Sequence, residues 1–170
     1  MAREHQTILV VDDTNEDALL LQDGLRKAGV RNPVRVLSKG EEALHYLAGA
    51  NSFSDRARHP LPSVLFLDLK LPDTPGIEIL KWLSARPELR RMLVIVHSGI
   101  QSRREIDELY AAGANTFLRK SNDLNELKEL IQYFRPWFEG PQGGRGATAE
   151  GRLLEDSEAR RAGPVASRLN

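Results

Sequence analysis

Cysteine is absent from the whole chain, and that gap removes disulfides, thiolate catalysis and cysteine-based metal sites. An excess of either charge is absent as well. Lys plus Arg and Asp plus Glu number 24 each, so electrostatics favours neither nucleic acid nor an anionic membrane as a partner. No apolar run approaches the roughly 20 residues that a membrane-spanning helix needs. The opening MAREHQTILVVDD has no apolar core of signal-peptide length before acids appear. These gaps indicate a soluble, cytoplasmic protein with no nucleic-acid and no membrane partner. Aromatic residues make up only 6% of the chain, and from Gly140 onward there are none, against six glycines. That stretch reads as a mostly disordered tail, and at about 30 residues it is too short for a second domain. The expected organisation is one domain over residues 1–138 and a tail over 139–170.

What is present is a regular alternation. Five short apolar runs, TILVV (7–11), VRVL (34–37), SVLFLD (63–68), MLVIVHS (92–98) and NTFLR (115–119), are separated by helical patterns. The first, third and fourth are nearly continuous Val, Ile, Leu and Phe, as strands are when both faces of a parallel sheet are covered. The helical patterns span 16–28, 40–47, 77–84, 102–113 and 123–138, with Pro136 breaking or kinking the last near its end. Residues 48–62 form a long polar connection. Strand and helix alternating five times predict an α/β, flavodoxin-like doubly wound (βα)5 fold with a five-stranded parallel sheet in the order 2-1-3-4-5.

In such a sheet the ligand crevice lies beyond the C-terminal ends of the strands. The first strand ends in Asp12 and Asp13, the third in Asp68, the fourth in Ser98 followed by Gly99, and the fifth in Lys120. The predicted strand order brings the three acids together, with Ser98 and Lys120 on the far side. Two carboxylates 4 Å apart at an effective dielectric near 20 repel by roughly 4 kcal/mol. A divalent cation relieves this; Mg²⁺ takes oxygen ligands and often uses one or two carboxylates plus phosphate oxygens. A carboxylate facing such an ion, an ammonium and a hydroxyl is placed to attack phosphorus and become an aspartyl-phosphate. Each residue has a plainer alternative. Asp12 or Asp13 alone can cap the following helix, Asp68 can begin a turn, Ser98 can be structural, and Lys120 can be a solvated strand end. The functional reading rests on all four strand ends carrying complementary groups.

From about Thr7 to Phe138 these residues resemble the receiver domain of two-component response regulators. ILVVDD is similar to that family's first-strand acidic pair, VLFLDLKLPDTPGIEIL to its phosphoacceptor strand and loop, VIVHSG to its Ser/Thr strand end, and AGANTFLRK to the aromatic and lysine of its last strand. The resemblance implies that Asp68 accepts phosphate from a histidine kinase. It implies that Asp13 and Asp68 bind Mg²⁺ with the Lys70 carbonyl, and that Asp12 assists, in part through water. Ser98, Gly99 and Lys120 would hold the phosphoryl oxygens, and Ser98 and Phe117 would form the switch pair. The ending KSNDL, the long connection and the aromatic final helix resemble the small receivers that accompany phytochromes, which makes a bacteriophytochrome one candidate kinase.

The sequence also departs from that family. Ser121 replaces the usual Pro after the lysine, where the family has a cis peptide. A cis bond before a non-proline residue costs about 2.5–4 kcal/mol, so either a held cis Lys120–Ser121 bond or a reshaped loop is expected. Lys70 and Ile100 occupy positions that often tune phosphate lifetime. Neither can orient an attacking water, so slow self-dephosphorylation is expected. With no room for a DNA-binding effector, output is expected by contact. The resemblance suggests a homodimer through the fourth helix, fifth strand and fifth helix, with Tyr110, Phe117, Tyr133 and Trp137 at the interface; the alternative is that Tyr133 and Trp137 cover the core edge. Three rival functions stand beside the receiver reading. One is a phosphorylation-independent adaptor. A second is a Mg²⁺-dependent aspartyl-phosphate phosphatase, which wants a second acid where this chain has Lys70. The third is a flavin carrier, disfavoured by acids where a phosphate needs donors.

Overall fold

A computed structural model describes residues 6–100, 102–121 and 123–139; the expected tail falls outside these except for Glu139. Five parallel strands, β1 (Ile8–Val11), β2 (Val34–Leu37), β3 (Val64–Leu67), β4 (Leu93–Ser98) and β5 (Thr116–Arg119), form one sheet in the order β2-β1-β3-β4-β5. The helices are α1 (Asn15–Lys27), α2 (Gly40–Ala48), α3 (Gly76–Ser84), α4 (Arg103–Ala111), α5 (Leu124–Tyr133) and α6 (Arg135–Glu139). The doubly wound α/β fold and its strand order are those expected.

The continuous apolar strands have a direct cause. Alternate side chains leave opposite faces of a strand, and each face meets its own helical layer. Leu9, Val11, Leu65, Leu67, Val94 and Val96 join the core that α2, α3 and α4 cover. Ile8, Val10, Val64, Phe66, Leu93 and Ile95 join the core that α1, α5 and α6 cover. β1, β3 and β4 are buried along their whole length, whereas β2 at the edge is half-buried or exposed, which explains its weaker pattern.

Two segments differ from the sequence pattern. The single helix expected over 123–138 is two helices, broken at Phe134. Pro136 has no N–H with which to continue the ladder, and the chain turns so that Phe134 and Phe138 both enter the core. The connection 48–62 is pinned rather than loose. Asn51–Phe53 forms a short 3-10 turn, and the Arg56 guanidinium donates to the carbonyl oxygens of Tyr46 (2.8 Å) and Leu47 (2.9 Å) at the end of α2. Cationic donors suit the negative end of a helix dipole.

Candidate functional site

The register aligns the strand ends. Val11 pairs with Leu67, so Asp12 and Asp68, each one residue beyond, emerge side by side. Both are almost fully buried, at 3% and 5% exposure, while Asp13 faces solvent. One carboxylate oxygen from each of Asp12, Asp13 and Asp68 lies within 4.8 Å of the others, a spacing that suits a metal ion. Asp12 Oδ1 accepts the Thr14 amide at 2.9 Å, an Asx turn before α1 rather than a helix cap. Asp68 Oδ1 accepts the Lys70 amide at 3.2 Å. The loop after Asp68 then doubles back tightly. A Cβ on Gly76 would sit 2.5 Å from the Asp68 carbonyl oxygen, so only glycine fits there.

Lys120 closes the site. Ser98 pairs with Arg119 across β4 and β5, and the Lys120 amide donates to the Ser98 carbonyl at 3.0 Å. The ammonium donates to Asp68 Oδ2 at 3.1 Å and to Asp17 Oδ2 at 2.9 Å, and it lies 2.8 Å from Asp12 Oδ2. That last contact is the shortest of the three, and Asp12 Oδ2, which is buried, has no other polar partner. Burial alone would push the lysine pKa down, but the carboxylates of Asp12, Asp17 and Asp68 outweigh it and hold it above the usual lysine value. Three carboxylates thus share one ammonium, and a fourth, that of Asp13, lies beside two of them. The negative excess, and an Asp12 oxygen that only a shared ammonium satisfies, fit a divalent cation with oxygen ligands.

The remaining expected residues fall as follows. Ser98 is buried at 1% exposure beside the acids' rim, and a Cβ on Gly99 would meet nothing within 4 Å, so the mouth there is open. Lys70 is exposed and Ile100 is buried at 7% exposure. Phe117 is half-buried against the α2–α4 core. The Lys120–Ser121 bond is trans, so of the two expected outcomes the held cis bond is not the one adopted. Of the four expected interface residues, Tyr110 is exposed at 42%. Tyr133 and Trp137 pack against the other core layer, where Trp137 Nε1 donates to the Arg91 carbonyl at 3.1 Å.

Two site residues escaped the sequence reading. Asp17 sits in the first turn of α1, which follows β1 after a three-residue connection, and its carboxylate reaches the Lys120 ammonium. His97 interrupts the apolar run of β4 and packs edge-on to Phe66. Burial, then the Lys120 charge, pushes the His97 pKa down to about 4. Asp17, His97 and Lys120 line a groove of about 560 Å³ between α1 and α5. Among the described residues no helix is long and apolar enough to cross a membrane.

Known proteins with this arrangement are numerous. Residues 8–132 match the model of the response regulator receiver domain. The chain is 28% identical over 127 residues to response regulator Rcp1 of Synechocystis, covering 75% of this chain and 84% of that protein. The response regulator RPA3017 in red light signaling of R. palustris superposes with a TM-score of 0.68 at 32% identity, over 76% of this chain and 90% of that one. The phosphorylated cyanobacterial phytochrome response regulator RcpA superposes with a TM-score of 0.67 at 28% identity, over 79% and 94%. A Mn²⁺-bound form of Rcp1 does so with a TM-score of 0.66 at 27% identity, over 80% and 96%.

Proposed function

The chain belongs to the response regulator receiver domain family, and on that premise we propose that it accepts a phosphoryl group on Asp68 from the phosphohistidine of a histidine kinase. The observation that carries this reading is the meeting of Asp12, Asp13 and Asp68 within 4.8 Å, with the Lys120 ammonium on Asp68 Oδ2. An Asp68 oxygen attacks phosphorus, the P–N bond breaks, and the electron pair stays on the imidazole, which is protonated from solvent. Asp12, Asp13, Asp68 and the Lys70 carbonyl would hold Mg²⁺, which when bound neutralises the acids and the charge on the transferring group. Lys120, Ser98 and the open backbone at Gly99 orient the phosphoryl oxygens, and Phe117 follows Ser98. Because a cyanobacterial phytochrome response regulator and a response regulator in red light signaling are among the structures this chain superposes on, a bacteriophytochrome is the kinase class we propose.

The phosphatase rival loses support from Lys70, which is basic and exposed where that chemistry wants an acid, and the family match indicates no catalytic family. Incubation with Mg²⁺ and acetyl phosphate should add one phosphoryl group to the wild type and none to Asp68→Asn. Steady turnover of a chromogenic phosphate ester, or equal labelling of the variant, would sink the reading. With Lys70 exposed and Ile100 buried, neither positions water, so the label should outlast a chase of seconds. We propose the signal leaves by contact between copies through α4, β5 and α5, where Tyr110 is exposed; a monomer mass at tens of micromolar, with and without beryllofluoride, would argue against it. The stretch 139–170 is proposed as a tail outside the receiver unit.

A further inference from the structure

Asp17 holds a bond that the metal reading of the site leaves unexplained. The Lys120 ammonium touches three carboxylates: Asp12 Oδ2 at 2.8 Å, Asp17 Oδ2 at 2.9 Å and Asp68 Oδ2 at 3.1 Å. Two of these belong to the cluster that suits a cation; Asp17 does not. A lysine ammonium and a divalent cation are both positive, and here they want the same oxygens. For the cation to take Asp12 and Asp68, the ammonium must loosen its hold on both. It has three donors and no acceptor, and at 18% side-chain exposure it sits too deep for water to replace all its partners. It therefore needs a carboxylate that the cation does not claim.

We propose that Asp17 is a positioning residue for cation binding: it receives and neutralises the Lys120 ammonium when Mg²⁺ takes the oxygens of Asp12 and Asp68. Three features support the assignment. Asp17 belongs to the first turn of α1 rather than to a strand end, so a shift toward it carries Nζ toward the α1–α5 groove that both residues line. Its carboxylate is half-buried, at 33% exposure, which leaves the pair less screened than a surface one. Asp12 Oδ2 is buried and has no polar partner but the ammonium, 2.8 Å away, so it is left entirely to the cation once Nζ moves. Lys120 remains charged and tethered throughout, and its two released N–H donors become available to phosphoryl oxygens.

This inference rests on the Mg²⁺ reading above, and a double-mutant cycle separates the two. Mg²⁺ isotherms would be measured by calorimetry on the full-length wild type, Asp17→Asn, Lys120→Met and the double variant, each checked for folding by circular dichroism. Lys120→Met should bind Mg²⁺ more tightly, since a like charge is gone. Asp17→Asn should weaken binding about fivefold in the Lys120 background and less than about twofold in the Lys120→Met background, a coupling in the range expected for groups sharing one network. Asp17→Glu, which restores the charge, should recover at least half of the loss. Equal losses in both backgrounds would mean that Asp17 acts only as a nearby negative charge, and no loss in either would mean that it does nothing; both overturn the proposal. If the wild type itself binds no Mg²⁺, the metal reading fails first, and the inference with it.

Discussion

The two rims of the sheet are both polar and both partly buried, yet they are finished differently. At the N-terminal rim Asn32, Ser63 and Asn115 each meet one neutral partner. Asn32 Nδ2 donates to the Gln6 carbonyl at 2.7 Å, Ser63 Oγ to the Trp137 carbonyl at 2.9 Å, and Asn115 Oδ1 accepts the Val94 amide at 2.7 Å. At the C-terminal rim three carboxylates share one ammonium, the Asp13 carboxylate lies beside two of them, and Asp12 Oδ2 has no polar partner but that ammonium. Buried charges in native proteins are ordinarily paired, so a surplus of one sign calls for an explanation. The difference teaches a way to tell structural polarity from functional polarity without knowing the function. A saturated rim holds the chain together; an unsaturated one waits for something.

The comparison is tested hardest at His97, where the C-terminal rim carries its most perturbed neutral group. The Lys120 ammonium and the carboxylates of Asp12 and Asp17 act on it, and burial dominates, so its pKa falls from 6.5 to about 4. A depressed histidine pKa means the unfolded chain takes up a proton that the folded one refuses. Its contribution is therefore fully present above about pH 6.5 and is lost as pH falls toward 4. The loss is about 3 kcal/mol at its limit, from the free-energy equivalent of each pKa unit. Urea denaturation of wild type and His97→Leu between pH 7 and pH 4.5, roughly the window that linkage defines, should show a steep acid decline that the variant largely lacks. Parallel curves would mean that the rim's pH response lies in its carboxylates instead.

The N-terminal rim should fail without touching the site. Asn115→Ala leaves the buried Val94 amide without its acceptor. An unmade buried bond costs about 1–3 kcal/mol, to be read from the denaturation midpoint. Mg²⁺ affinity should not move. A variant that lost stability and metal binding together would show that the rims are one cooperative unit, and the distinction would collapse.

How far the sequence foretold this molecule depends on how local each signal was. The strands were legible because a strand buried on both faces must be apolar at every position, as ILVV and VLFL are. The cluster of Asp12, Asp13 and Asp68 followed from strand order, since neighbours in a parallel sheet bring their ends together. Asp17 was illegible for the opposite reason. Nothing near it in sequence announces a partner 103 residues away, and an acid in the first turn of a helix is normal dipole chemistry. His97 was hidden inside an apolar run, where one polar residue reads as noise. The Arg56 clamp lies only nine and ten residues from its carbonyls, yet nothing in a polar connection marks which guanidinium turns back to a helix end, whereas the break at Phe134 was signalled by Pro136.

Asp73 offers the smallest effect and the sharpest form of the comparison, because its position and its saturation point in opposite directions. It lies at the C-terminal rim, five residues past Asp68 in the same loop, where position alone would make it functional. Yet it is saturated: Oδ1 accepts the Gly40 amide at 2.9 Å and Oδ2 the Glu41 amide at 2.8 Å, capping α2 from a loop more than thirty residues away. Those amides, Glu41 first, hold its pKa below the usual 3.8. The close fit at Gly40, where a Cβ would lie 2.7 Å from Thr74, keeps the loop against the helix. If saturation is the better guide, Asp73→Ala costs about 1 kcal/mol, the ordinary worth of an N-cap, and leaves Mg²⁺ binding alone. Its lowered pKa gives the sign with pH: the wild-type advantage is present above about 3.8 and fades as pH drops below it. Hydrogen exchange at the Gly40 and Glu41 amides should quicken in the variant while that of β1 and β3 does not. Unchanged protection at both amides, or a metal affinity that falls with stability intact, would make position the better guide, since Asp73 would then be serving the site rather than the helix.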